Sequence, residues 1–405
     1  MVKDTKSSWC DQSRLSKRSI LNDLNRALEC SHKGSPCMKA PPALVLFFLA
    51  PAIAELLSSS APPSEFFNPT TLLLLASLYG SGAIIVRELK VRWNKGYVSM
   101  LVLGAAYGIV EEGLMVKSFF DPGWVDLGIL ASYGRWQGVN WVWAEWLTIY
   151  HAVFSISIPI TLVELAYGQR RNKSWVGHKT LTVLVALLGA VTALGYLGLT
   201  DYKPPFMQYA LSAAMVIALI TLAWKIPPQT AKKGSHQPLK PSRLAIAGFL
   251  SAASLFLLFM IGPYTIPQAP ALMILGLALV LANASFLKRY MWNDKTVYNK
   301  FALAAGAVAF LIALTPLQEF NASRPDDPRG MLIVGIVALI LLVLLNRKLK
   351  PPLQAVNNQL RPTEVAVAFS VEAAIALEFD RSRASDNSIV KGIISCFHQK
   401  YRRPE

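Results

Sequence analysis

Glu111 and Glu112 are adjacent carboxylates inside an apolar run, and His151 is the one histidine in any such run. A charge at mid-bilayer costs at least about 2.5 kcal/mol, so groups of this kind face a bundle interior or a cavity. Two carboxylates and an imidazole have three chemical uses. They can bind a divalent metal and activate water. They can work as a general acid and base. They can also relay protons or hold a cation in a transporter. We therefore take Glu111, Glu112 and His151 as candidate catalytic residues, with Glu112 and His151 as candidate ligands of a divalent metal.

Helix spacing extends the set. Thr148, His151 and Ser155 follow i, i+3, i+7 and form one polar stripe. Glu145 is six residues from His151, about 120° around a helix, so the two cannot share a face closely. Glu55 is a further carboxylate expected at a similar depth. Between the two helices, residues 118–140 form a connection long enough to suggest a structured role. Five of the ten tryptophans fall between 124 and 146. Asp121-Pro122-Gly123 reads as a turn, and Gly128, Gly134 and Gly138 let the backbone fold back. The segment reads either as an aromatic belt at the membrane interface or as a lid. In the second reading Trp124, Trp136 and Trp141 join Glu145, Thr148 and Ser155 as candidate substrate contacts.

The elements that must position these residues are legible in composition. The chain has 405 residues, 53% of them hydrophobic and only 16% charged. A helix needs about 20 apolar residues to cross the hydrocarbon core. Ten stretches are near that length: 43–59, 69–88, 97–117, 141–167, 181–199, 206–224, 243–262, 269–287, 300–317 and 329–346. Runs such as Met331 to Leu345 do not alternate, which excludes a β-barrel. The expected fold is all-α, a polytopic bundle of about ten transmembrane helices. Four parts follow: a basic tail (1–40), helices 1–4 with the polar site (41–168), a bland scaffold of helices 5–10 (169–346), and a C-terminal tail (347–405).

A net charge of +16 invites a nucleic-acid reading, but the cations follow topology instead. The N-terminal tail holds eight Lys and Arg, alternate loops hold four, four, five and four, and the C-terminal tail holds ten. The intervening loops hold zero, two, one, zero and two. This is the positive-inside pattern, predicting both termini in the cytoplasm and the 118–140 connection outside. It implies a lipid bilayer as partner, the cytoplasmic membrane as location, and no nucleic acid.

The four cysteines, Cys10, Cys30, Cys37 and Cys396, fall in the tails and read as reduced thiols. Residues 20–28, 365–377 and 388–399 read as interfacial pieces. Met38-Lys39 with the following apolar run resembles the start of a signal-anchor, and Ala52-Ile53-Ala54 offers a cleavage pattern. Asn321-Ala322-Ser323 matches a glycosylation acceptor. Gly104 and Gly108 form a close-packing pattern, as do Gly248, Ser251 and Ala252. Arg87, Glu88 and Glu164 sit at helix ends, where snorkelling to water is expected.

The run Glu111-Glu112-Gly-Leu-Met-Val-Lys117-Ser-Phe-Phe resembles the first motif of the CAAX-protease-like (CPBP) intramembrane metalloproteases. That motif is two glutamates, three residues, then arginine. His151 on the next helix resembles the second motif. The resemblance implies that Glu111 or Glu112 activates a water and that His151 positions it or binds metal. Val116 stands at the arginine position and Leu147 at an aromatic one. The later histidines, His178, His236 and His398, fall in segments expected to be cytoplasmic.

Three functions remain open at this level. The first is a hydrolase-like membrane enzyme acting on a lipid or membrane-embedded substrate. The second is a secondary transporter using the same carboxylates, and the third is a structural membrane protein. The enzyme reading requires Glu111, Glu112 and His151 to converge within hydrogen-bond reach.

Overall fold

The structure, a computed structural model, describes residues 40–228, 239–290, 297–322, 324 and 326–350. The four cysteines, the three interfacial pieces and Ser323 lie outside the described residues. Among the described residues ten helices carry the fold: α1 (Pro42–Leu56), α2 (Pro69–Arg92), α3 (Tyr97–Met115), α4 (Trp141–Ala166), α5 (His178–Gly198), α6 (Phe206–Lys225), α7 (Pro241–Thr265), α8 (Ala269–Tyr290), α9 (Val297–Glu319) and α10 (Met331–Leu349). All belong to one compact unit that ends at Leu349.

Nine of these, α2 to α10, are long and apolar enough to cross a membrane. The expectation of ten full spans is therefore corrected at α1. It runs ten residues as α-helix and five as π-helix, about 22 Å, short of a hydrocarbon core of about 30 Å. Its apolar run ends in Ser58, Ser59 and Ser60, where Ser58 turns its hydroxyl back to the Ala54 carbonyl at 2.6 Å and Ser59 takes a φ of 71°. The remaining boundaries fall within three residues of the expected ones, except at α2, which continues through four more residues to Arg92.

Burial divides the bundle. The most apolar window of α4 is 83% buried, against 11% in α6 and α8 and 6% in α10. The helix carrying His151 is thus central, and most of the second half faces outward. Among α5–α10, α9 is the exception at 50%, because α7 packs against it with backbones in contact. A Cβ at Gly248 would meet the Leu303 carbonyl at 2.1 Å, so only glycine admits that approach.

The connection between α3 and α4 is built, not loose. Arg135–Trp136 pairs antiparallel with Val139–Asn140 as β1 and β2, the one departure from all-α among the described residues. Gln137 and Gly138, at φ of 52° and 74°, make the two-residue turn whose hand suits a hairpin. The Asp121 turn forms as expected, with the Gly123 amide donating to its carboxylate at 2.8 Å. Phe119, Phe120, Leu127 and Leu130 are buried beneath this cover. Buried Asn140 caps α4 by accepting from the Trp143 amide at 2.9 Å, and its side-chain amide donates to the Leu130 carbonyl.

At the other end of α2, Arg87, Glu88 and Glu164 do not snorkel. All three are buried, with Arg87 Nη1 2.6 Å from Glu88 and Lys90 Nζ 2.6 Å from Glu164. The 167–177 connection folds over them. Arg87 donates to the Arg171 carbonyl at 2.8 Å and stacks 3.7 Å from the Trp175 ring, while the Trp175 amide donates to Glu88 at 2.8 Å.

Candidate functional site

Four short π-helical segments interrupt neighbouring helices. Ala52–Leu56 lies in α1, Ala76–Gly80 in α2, Ile109–Met115 in α3 and His151–Ser157 in α4. Each places one or two polar side chains in a single cluster: Glu55, Tyr79, Glu111 with Glu112, and His151 with Ser155. A π turn closes i→i+5 hydrogen bonds, as in Leu57 N–H to the Ala52 carbonyl at 2.9 Å and Val116 N–H to that of Glu111 at 2.8 Å. Such turns are rare and concentrate at functional sites, because the extra residue redirects side chains without breaking the helix.

Glu111, Glu112 and His151 converge, each offering one ligand atom within 4.8 Å of the others. His151 Nε2 lies 3.1 Å from Glu112 Oε1, and Nδ1 lies 3.3 Å from Glu111 Oε2. His151 and Glu111 are 2% and 4% exposed, while the side chain of Glu112 keeps 12%. The cluster is therefore enclosed, with Glu112 its most accessible member.

Neighbours hold these groups in place. Ser155 Oγ lies 2.9 Å from His151 Nδ1. Glu112 Oε2 accepts from the Ser118 hydroxyl, which accepts from Trp143 Nε1 at 3.0 Å. The Tyr79 hydroxyl contacts both Glu55 and Glu111. A phenol has one proton to donate, so both contacts can be hydrogen bonds only when one carboxyl is protonated. The buried Glu111 Oε2 has no hydrogen-bond partner.

Close helix packing makes the convergence possible. A Cβ at Gly104 would lie 2.8 Å from the Ala152 Cα, and one at Gly108 would lie 3.0 Å from the His151 Cβ. The glycine pattern read as packing thus acts on the site itself, letting α3 touch the π segment of α4.

The other candidates separate. Ser155 joins the cluster. Thr148 is half-buried beside Gly108 and makes no part of the hydrogen-bonded set. Glu145 faces elsewhere: its carboxylate lies against Gly276 of α8 and near Phe259 of α7, and its Oε2 is buried without a partner. Trp124 is half-buried against the core of the cover. Trp136 is 68% exposed and Trp141 42%, with Trp141 Nε1 donating to the Trp136 carbonyl at 3.2 Å. Neither touches the cluster.

Sequence reasoning missed Tyr79, Ser118 and Trp143, and noticed Glu55 without assigning it to the site. A tyrosine among Gly80, Ser81 and Gly82 was the available signal, since small residues beside an aromatic mark a crowded crossing. Lys117, the cation nearest the resembled arginine position, turns away. It is fully buried at a φ of 66° and donates to the Tyr196 and Thr200 carbonyls at 2.8 and 2.9 Å, capping α5. Outside the spans, Asp126 stands near Glu112. Loss of water and then the Glu112 charge push its carboxyl above the ordinary range, against the pull of Trp124 and Arg324.

These features define a class: a polytopic membrane helix bundle with a buried Glu/Glu/His centre able to ligate a metal. The chain belongs to a family described as "Uncharacterized membrane protein family", whose profile matches residues 44–384. No curated protein and no solved structure matches it.

Proposed function

We propose that the protein is a membrane-embedded, metal-dependent hydrolase acting on a lipid or membrane-embedded substrate. The carrying observation is the convergence of Glu111, Glu112 and His151 within 4.8 Å inside the helical bundle. The donor set fits a divalent ion. It consists of two carboxylates and an imidazole, and the buried Glu111 Oε2, which makes no hydrogen bond, has His151 Nδ1 3.3 Å away.

Glu112 and His151 Nε2 would hold the ion. The chemistry it supplies when bound is Lewis acidity, acidifying a water and polarising a carbonyl or phosphoryl oxygen. With Nδ1–H donated to Ser155, the Nε2 lone pair would face Glu112 and the ion. Ser118, itself held by Trp143, orients the second oxygen of Glu112. Oε2 of Glu111, buried beside His151 Nδ1, would take a proton from water admitted to the site, and Tyr79 holds the other oxygen of that carboxylate.

Depth supports the substrate class. Glu112 is about 8 Å along α3 from Lys117, and His151 about 15 Å along α4 from Trp141. A substrate reaching Glu112 must therefore enter the bilayer. By the charge pattern this face is the outer one, with both termini in the cytoplasm and the protein in the cytoplasmic membrane. The CPBP-like reading of the glutamate pair and His151 agrees with the donor set, and Lys117 departs from it.

Proton-coupled transport is the second reading, favoured by the Glu55–Tyr79–Glu111–His151–Glu112 chain across four helices. Inverted-repeat transporters carry matching interruptions in both halves. Here, among the described residues, π segments fall only in α1–α4. The enzyme is the better account.

Elemental analysis of the purified protein tests this. About one divalent ion per chain is expected, lost in Glu112→Gln and His151→Ala and kept in Glu145→Gln. No bound ion, or equal content in all four proteins, would sink the proposal.

A further inference from the structure

Helices α5 and α6 follow one another in the chain, yet they splay. Both pack against α3, and they meet each other at Tyr196 and Tyr209, whose rings are 5.2 Å apart. Beside α5, with Tyr209 of α6 at one edge, runs a cleft of about 560 Å³. One stripe of α5 lines it, from Val185 through Leu188, Gly189, Thr192 and Ala193 to Tyr196, and Val110 of α3 closes the back.

The shape of the cleft restricts its occupant. From Val185 to Leu197 is about 18 Å at 1.5 Å per residue, so the cleft is a long groove, open along one side. Water finds few partners there. The Thr192 hydroxyl already donates to the Leu188 carbonyl at 2.8 Å and Tyr209 to that of Leu114 at 3.0 Å. A dry, empty cleft would leave its lining without dispersion contacts. A single extended hydrocarbon chain matches both the length and the polarity.

The end of the cleft indicates what the chain is attached to. The Tyr196 ring that closes it lies 4.8 Å from Nζ of exposed Lys203 and 4.9 Å from that of buried Lys117. Asp121 and Asp201 share this neighbourhood, so the local field is mixed and the accessible contact is Lys203 itself. That level is where α5 ends and the headgroup region begins. We propose that the cleft beside α5 binds one acyl chain of a phospholipid whose phosphate meets Lys203. The chain lies against Val110, the neighbour of Glu111, on the flank where Tyr209 satisfies the Leu114 carbonyl of the α3 π segment. The bound lipid thereby buttresses the segment that carries the glutamate pair. This lipid site stands apart from the hydrolase proposal and does not depend on it.

Native mass spectrometry of the full chain, with phosphatidylglycerol or diacylglycerol added to delipidated protein, tests the site. Wild type is expected to retain one phosphatidylglycerol. Gly189→Leu fills the cleft, and no atom lies within 4 Å of the added Cβ, so the fold should tolerate it. It should weaken retention by about tenfold, as should Ala193→Leu, which serves as the second variant if the first is unstable. Lys203→Gln should weaken phosphatidylglycerol by severalfold and leave diacylglycerol unchanged. Ala253→Leu, in a separate cleft between α7 and α8, should behave as wild type. Undiminished retention in folded Gly189→Leu or Ala193→Leu overturns the acyl-chain assignment, and equal loss of both lipids in Lys203→Gln overturns the phosphate contact.

Discussion

His151 stands between two glutamates that are adjacent in sequence, with Nε2 3.1 Å from Glu112 Oε1 and Nδ1 3.3 Å from Glu111 Oε2. The imidazole is therefore what allows two buried carboxylates to share one place. Removing one partner of a buried set leaves the rest uncompensated, at about 3–5 kcal/mol. His151→Ala should destabilise the metal-free protein by that order. Glu111→Gln added to it should restore part of the loss, because one stranded charge goes. Unfolding of single and double variants in detergent checks this, and simple additivity would contradict it.

The contact between α3 and α4 gives a second expectation. With the Gly108 Cβ position 3.0 Å from the His151 Cβ, Gly108→Leu cannot fit without moving His151. It should cost about 1–3 kcal/mol and abolish metal retention, although no ligand is altered. Gly198→Leu, outside the cleft beside α5 and with no atom within 4 Å of the added Cβ, is the matched control. Metal content of the two variants separates a local effect from general damage.

The buried ion network at the far end of α2 makes a third. Arg87→Met leaves Glu88 and Glu164 short of a partner and frees the 167–177 connection, so a loss of about 3–5 kcal/mol is expected. Arg329 and Asp327 are also paired at 2.6 Å but stand in solvent, and Arg329→Ala should leave the melting temperature unchanged. Thermal melts of both variants in one detergent decide it.

Asp126 supplies a pH dependence. Its carboxyl is raised by partial loss of water and by Glu112, while the residue keeps an exposed surface. A raised carboxyl favours the closed cover at low pH. That contribution is complete below the unfolded value and lost as pH rises through the folded one. In the metal-free protein, amide exchange in residues 118–140 should accelerate over that window, and Asp126→Asn should flatten the profile. A wild-type profile without a step would refute the assignment.

The helices were legible because apolar runs of bilayer length leave little choice of structure. The glutamate pair and His151 were legible because charge is costly in lipid. Tyr79 was not, since a tyrosine in an apolar run carries no such penalty, and its role depends on a π turn that no spacing rule anticipates. The same turns explain why a regular i, i+3, i+7 stripe included Thr148, which the structure leaves outside the set. Arg87 and Glu164 read as snorkelling ends because the fold of 167–177 over them is a tertiary event. Alpha-helix 1 read as a span because hydropathy does not register where three serines stop a helix.

Glu145 resolves the last ambiguity of the sequence. At about 120° from His151 it could not share that face, and it lies instead against Gly276 and Phe259, with Oε2 buried and unpartnered. A buried acceptor without a donor costs about 1–3 kcal/mol, and an apolar side chain of similar volume removes that cost. Glu145→Leu should therefore raise the melting temperature, and Glu145→Gln should change it less, because an amide there still lacks a full set of partners. If Glu145 instead contacted substrate, either variant would impair turnover once an assay exists, with binding of the substrate weakened. A stability gain in Glu145→Leu with metal content intact would assign this carboxylate to the α4–α8 contact and leave the chemistry with Glu111, Glu112 and His151.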